Sequence, residues 1–350
     1  MSRLVAALAL ATACAAPRPL PDLAEAERLH RAGDDDGALV AYRRAQESCK
    51  RERDALRRRA ACSEAHNGRA ELLVDLGRIE QAIEAFDLAA RVLATESSAA
   101  AARATLRSGQ LRLDRGDDVA AYQRLWAVVT NWPDEAFAAD ALNVLLRDGR
   151  ARDPDQLYQV LAQLDARIGS SEIGDNLEWA MADLAEHEKE DLALARRHLD
   201  RLIATHPKSG MVDDARWHGA RLSRALGDPS GAAERLRALL ATREVSWGAG
   251  SYFSVWLDDG QLELGRVLRD DLEKPADALA AFERLPRDYP ASVYIDDALW
   301  ERAVTLESMG QQASACAVLA ELHQKHPDSR WELEEAPKKR AALACRGSDL

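Results

Sequence analysis

Most of the signatures from which catalysis is read are missing from this chain. It has no Gly-x-x-x-x-Gly-Lys-Ser/Thr loop, no Gly-x-Gly-x-x-Gly, no His-Glu-x-x-His and no Gly-x-Ser-x-Gly. Those patterns cradle phosphates, hold zinc or expose a nucleophile. Without them no cofactor, metal or small-molecule substrate is expected, and an enzyme with a site inside the fold is the weakest reading. Cys-x-x-Cys spacing is absent too, which disfavours zinc and thiol exchange. No strand-like alternation persists, so the chain reads as all-α. Beyond the first twenty residues no apolar run approaches the ~18 residues that span a bilayer. Basic charge is in deficit: 47 Lys and Arg stand against 59 Asp and Glu, a net charge of −12. That balance argues against nucleic acid and against direct adhesion to anionic lipid. The exception is a cluster at Lys50, Arg51, Arg53, Arg57, Arg58 and Arg59. It reads either as a contact for an acidic partner or headgroup, or as a solvated helix face balancing the acidic remainder.

What the sequence has is a period. Seven stretches fit one 34-residue template: a small residue at position 8, a turn residue at 15, small or apolar residues at 20, 24 and 27, and often Pro at 32. Residues 296–329 show it best, with Ala303, Gly310, Ala315, Leu319, Leu322 and Pro327. Residues 19–52 supply Ala26, Gly33, Ala38, Tyr42 and Ala45, and residues 63–96 supply Ala70, Gly77, Ala82, Phe86 and Ala89. Residues 102–135 supply Gly109, Gly116, Ala121, Leu125, Val128 and Pro133. Small residues at 8 and 20 let two helices of a hairpin approach closely. Gly at 15 ends the first helix with positive φ at no Cβ cost, and Pro at 32 stops the second. A single hairpin cannot bury its apolar face, so neighbours must stack.

This pattern resembles the tetratricopeptide repeat (TPR) family over roughly residues 19–330. The resemblance implies a right-handed α-solenoid of about eight helical hairpins whose groove captures extended or helical peptide segments. The expected organisation is N-terminal repeats over 22–135, a degenerate helical pair over 136–175 broken at Gly149 and Pro154, and C-terminal repeats over 176–329. A capping helix and tail follow at 330–350.

The later repeats share more than the template. His206, Pro207, Ser209, Asp213, Asp214, Ala215 and Trp217 recur 83 residues on as Tyr289, Pro290, Ser292, Asp296, Asp297, Ala298 and Trp300. The Asp pair suits the positive end of a new helix; Ser209 and Ser292 suit N-caps. His206 and His326 fill the slot that Tyr289 fills elsewhere, and Trp217 and Trp300 hold matching places, so these residues read as structural. His323 and His326 share a helix face but lack the further ligands of a metal site. Residues 247–258 interrupt the order with Trp247, Tyr252, Phe253 and Trp256. These aromatics are candidate partner-docking residues, or rings that plug a joint left by an irregular first helix.

The first twenty residues read as an address. Arg3, an apolar run from Leu4 to Ala13 and then Cys14 resemble a bacterial secretory signal (1–13) ending in a lipid-attachment cysteine, with a Pro-rich tether over 14–21. Ala11 stands where the lipobox usually has Leu; an ordinary cleaved signal is the alternative. Acylation of Cys14 would anchor the chain to the membrane through lipid alone, and Ala15 in the next position implies the periplasmic face of the outer membrane. The four remaining cysteines are an even number in an oxidising compartment. Cys316 and Cys345 are candidates to pair if the capping helix folds back. Cys49 and Cys62 would meet only if the chain turns between them, because 13 residues of unbroken helix span about 20 Å. Buried free thiols are the alternative for each.

Repeats, lipobox and repeat-start motifs together resemble periplasmic TPR lipoproteins of the outer-membrane barrel-assembly (BamD-like) or cell-envelope coordinator type. The expected function is a non-catalytic scaffold for other envelope proteins; a soluble secreted or cytoplasmic TPR adaptor is the alternative.

Overall fold

The computed structural model describes residues 20–243 and 254–345. Cys14, Trp247, Tyr252 and Phe253 lie outside the described residues. Among the described residues every regular element is helical, and no helix is long and apolar enough to cross a membrane. The chain forms two compact units, Met1–Ala151 and Arg152–Leu350.

The first unit holds three hairpins: α1 (Pro21–Arg31) with α2 (Asp35–Ser48), α3 (Ala55–Asp75) with α4 (Ile79–Leu93), and α5 (Ser98–Asp114) with α6 (Asp118–Asn131). All but the last residue of α7 (Ala136–Arg152) completes it. The second unit holds α8 (Pro154–Ile168), α9 (Gly174–His187), α10 (Leu192–Thr205), α11 (Val212–Ala225), α12 (Pro229–Leu240), α13 (Leu257–Arg266), α14 (Pro275–Asp288), α15 (Ile295–Ser308), α16 (Gln312–Lys325), α17 (Arg330–Glu334) and α18 (Ala336–Ala342). Within each unit, successive helices pack antiparallel and stack as a TPR-like α-solenoid.

The template explains the hairpins. At the turn position Gly33, Gly77, Gly116, Gly227 and Gly310 take φ of +68° to +80°. The residue after the glycine then bonds back, as Asp34 N does to Leu29 O (3.0 Å) and Gln311 N to Leu306 O (2.9 Å), the Schellman closure. The Ala side chains at position 20 (Ala38, Ala82, Ala121, Ala195, Ala232, Ala278, Ala315) are fully buried, so the paired backbones sit close. Phe86, Leu125, Leu236, Phe282 and Leu319 fill position 24 with no exposure. Before each position-32 proline the chain leaves the helix: Trp132, His206, Tyr289 and His326 have φ of −123° to −136° and ψ of 55° to 65°. The proline ring forbids the α region to the residue before it.

Four local expectations are corrected. Helix α7 runs through Gly149 to Arg152; one glycine costs a helix only about 1 kcal/mol, and the break falls at Asp153, whose side chain caps α8 ahead of Pro154. The C-terminal cap is two short helices, because Pro337 has no N–H to continue α17 and instead opens α18. Ser209 and Ser292 are not the N-caps of α11 and α15; Met211 and Tyr294 are. The interruption at 247–258 ends early, since Trp256 caps α13 and Leu257 opens it.

Candidate functional site

A cavity of about 520 Å³ opens between the first helices of successive hairpins in the first unit. Its walls come from α3 (Ala60, Ser63, Glu64, Asn67, Gly68) and from α5 with its cap (Ser97, Ala99, Ala100, Arg103). Tyr42 of α2 and Phe137 of α7 also line it. Small residues on both walls leave the space. Gly68 is required here because a Cβ at that position would lie 2.9 Å from the Tyr42 ring, so the tyrosine lies across α3.

The polar groups of this cavity are incompletely matched. Asn67 is 4% exposed. Its Nδ2 donates to Ser63 O (3.2 Å) and to Ala100 O (3.4 Å), while its Oδ1 has no partner, and neither does Ser63 Oγ. Burial of a polar atom without a hydrogen bond costs roughly 1–3 kcal/mol. Burial, then a hydrogen bond with Glu27 of α1, raises the Glu64 carboxyl above the usual carboxylate range. Burial, then Glu27 and Glu64, raises the Tyr42 hydroxyl. Arg103 is committed elsewhere, to Glu71 at 3.1 Å. Glu27 has Arg31 at 3.5 Å across exposed surface, a pairing of little strength. On α3 His66 is buried at 3% exposure with neither ring nitrogen bonded. Its pKa is pushed down to about 4 by burial, then by Lys50 and Arg69.

The second unit treats its junctions differently. Ser209 Oγ donates to Asp175 (2.5 Å), Ser292 Oγ to Asp258 (2.6 Å) and Ser329 Oγ to Asp296 (2.6 Å). Each hydroxyl also accepts from the N–H two residues on. Trp256 Nε1 donates to Asp214 (2.6 Å) and Trp331 Nε1 to Asp297 (2.9 Å). The same rings stack on Trp217 (5.4 Å, 12°) and Trp300 (5.0 Å, 7°). Trp256 therefore packs between repeats. His206 Nε2 donates to Gly169 O (2.8 Å) and His323 meets Glu332 at 2.9 Å, so both histidines serve the packing.

A Tyr158–His198–Glu178 chain looks like a relay: Tyr158 Oη lies 2.8 Å from His198 Nε2 and His198 Nδ1 lies 2.7 Å from Glu178. No sequence pattern announced it. Its counterpart 83 residues on is Gln261, whose Nε2 bonds Ala281 O at 2.9 Å. That exchange marks the position as a polar tie between paired helices. A second cavity of about 710 Å³ between α12, α13 and α14 carries Arg243 and Arg284, both directed at Asp288 (3.5 and 3.6 Å). The basic cluster near Cys49 is likewise partnered in part: Lys50 meets Glu47, Arg57 meets Glu52 and Arg58 meets Glu96.

The structure brings both cysteine pairs together, with Cα separations of 5.2 Å for Cys49 and Cys62 and 5.5 Å for Cys316 and Cys345. For the first pair the chain turns without Gly or Pro. Helix α2 passes into a 3-10 turn at Cys49–Arg51, Glu52 is extended, and Asp54 caps α3 by accepting from Arg57 N (2.8 Å). Asp54 was the readable signal.

Residues 259–292 and 297–329 match the family model of the tetratricopeptide repeat; the chain contains TPR repeats. No curated protein matches it. Among solved structures it is similar to YrrB, described as a TPR protein with an unusual peptide-binding site (13% identity, TM-score 0.43, 61% of this chain and 97% of that one). It is also similar to a human IFIT1 dimer with PPP-AAAA (14%, 0.40, 92% and 82%). A third is PilW, a type IV pilus biogenesis factor (14%, 0.36, 77% and 96%).

Proposed function

We propose that this protein is a non-catalytic scaffold that holds a segment of another protein in the α3–α5 cavity, and that Cys14 anchors it to the periplasmic face of the outer membrane. The observation that carries the binding role is the cavity itself, a space of about 520 Å³ between repeat helices with buried polar atoms left unmatched. A protein partner suits it better than nucleic acid, because Glu64 lines the site with Glu27 beside it and the chain carries a net charge of −12. The address is supported by the apolar run before Cys14 and by two cysteine pairs at bonding separation, as an oxidising compartment favours. An envelope-assembly or envelope-organising role follows from that address.

Two measurements test the reading. Intact mass and detergent partitioning, beside a Cys14→Ser variant, should give a lipid-sized increase on a chain starting at Cys14 that the variant lacks. The same spectra without reductant should be lighter by two hydrogens for each disulfide formed. An unmodified chain that keeps Met1 would leave a soluble adaptor. A photo-crosslinking amino acid placed at Phe137 should capture a protein partner in cells. The same probe at Val119, 73% exposed on α6, should not; equal capture at both positions would remove the cavity as the site.

A further inference from the structure

The cavity also says what chemistry its partner brings. We infer that the first unit selects an extended segment carrying a lysine or arginine, whose cation sits between Glu27 and Glu64 while its main-chain N–H reaches Asn67. This rests on the proposed binding role of the cavity and sharpens it.

The argument is one of unmatched hydrogen-bonding capacity. Asn67, almost fully buried, has spent both amide hydrogens on Ser63 O and Ala100 O and keeps a free acceptor. Glu64 and Glu27 are two carboxyls hydrogen-bonded to each other; ionised carboxylates accept only. Ser63 Oγ is free as well. Arg103, the cation on the cavity wall, is held with Arg107 on Glu71 at 3.1 and 3.0 Å, and Arg31 reaches only Glu27, at the surface. What the site has left is mostly acceptors, so its ligand must supply donors and positive charge. Tyr42 and Phe137 give apolar walls along which the methylene stem of such a side chain can lie while its head remains polar. A carboxylate-bearing segment would meet like charge at the same place.

The test uses the full chain and fluorescein-labelled twelve-residue peptides built on Gly, Ala and Ser, carrying either four Lys, four Glu or four Gln. Anisotropy at low and high salt should show the Lys peptide bound, the Gln peptide about tenfold weaker, as loss of a charge-assisted hydrogen bond gives, and the Glu peptide unbound. Glu64→Gln should weaken the Lys peptide about tenfold, and Glu64→Lys should turn the preference towards the Glu peptide. Asn67 is buried, and Asn67→Asp is the conservative variant that keeps an acceptor; it should retain the Lys peptide. Glu64 is exposed, so its variants leave the fold intact, which thermal unfolding followed by circular dichroism checks. Binding of all three peptides with similar affinity would overturn the inference while leaving peptide capture standing. Binding of none would overturn both. Full displacement of the Lys peptide by micromolar spermidine, with no effect of Asn67→Ala, would reduce the site to a cation site and overturn recognition of a main chain.

Discussion

The two units are built from the same hairpin yet finish their repeat junctions in opposite ways. In the second unit the first-helix starts are tied together by Ser-to-Asp hydrogen bonds and by Trp rings that stack and donate to the neighbouring Asp. In the first unit the corresponding region holds Ser63 and Asn67 with unpaired atoms, a buried His66 without hydrogen bonds and the carboxyl pair Glu27–Glu64. Buried polar groups in native proteins are nearly always paired. Ser63 and Asn67 are two such exceptions on one wall of a cavity, which is where a ligand is expected, whereas the Ser–Asp and Trp–Asp ties of the second unit are where a scaffold is expected.

The largest effect tests whether the shared hairpin contributes equally in both units. Phe86 and Phe282 hold the same template position at zero exposure, and Phe282 packs on Gly265, where any Cβ would lie 2.3 Å from its ring. Each Phe→Ala change should cost about 3–5 kcal/mol. In a repeat array that loss spreads to nearest neighbours, so hydrogen exchange should rise in the mutated hairpin and those beside it. Unequal losses would mean that the paired junctions of the second unit absorb what the first cannot.

Acid should separate the units next. His66 has a folded pKa of about 4 against about 6.5 unfolded. Between those values the unfolded chain binds the proton and the folded chain does not, so stability rises with pH over that window and is complete above it. Acidification from 7 to 4 should remove about 3 kcal/mol from the first unit. His66→Leu should flatten that part of the urea-denaturation profile; an unchanged profile would refute the assignment.

A smaller contrast addresses the junctions directly. Asp297→Ala strips the acceptor from Trp331 Nε1 and should cost about 1–2 kcal/mol, read as earlier release of α17 and α18 in hydrogen exchange. Ser63→Ala removes an unpaired hydroxyl and should be neutral or stabilising by up to about 1 kcal/mol. If both changes cost alike, the junctions do not differ in the way their hydrogen bonds indicate.

Much of this was legible in the sequence because it repeats. Turn glycines, position-20 alanines and position-32 prolines each solve one local problem, and every repeat must solve it again. The start of α13 was legible too, but hidden: Ser254, Val255, Trp256, Leu257, Asp258 and Asp259 match Ser292, Val293, Tyr294, Ile295, Asp296 and Asp297. A 34-residue ruler misses this because these starts lie 38 residues apart and the preceding spacing is seven residues longer. The Glu27–Glu64 pair and Asn67 were not legible. Their partnership comes from stacking of α1, α3 and α5, and a single exposed glutamate has no periodic signature. The Tyr158–His198–Glu178 chain was silent for the same reason.

The finest comparison is between turns. All three hairpins of the first unit turn at glycine, whereas two of the second turn at Glu190 (φ 51°) and Glu273 (φ 53°). The glutamate turns also close one residue wider, with Asp191 N on Ala185 O (2.9 Å) and Lys274 N on Leu268 O (2.7 Å). In the second case the helix end loosens into a π turn at Val267–Asp271. A left-handed backbone costs a residue with a Cβ roughly 1–2 kcal/mol, and glycine returns about 0.5–1 kcal/mol of that as unfolded-chain entropy. Glu190→Gly and Glu273→Gly should each stabilise the second unit by about 0.5–1 kcal/mol, measured as a rise in the urea midpoint with unchanged slope. The wider closure should persist, because it is set by the number of residues between Ala185 and Asp191 and not by the side chain at 190. A loss of stability in either variant would instead give the glutamate side chain a structural role at the turn that outweighs its backbone strain.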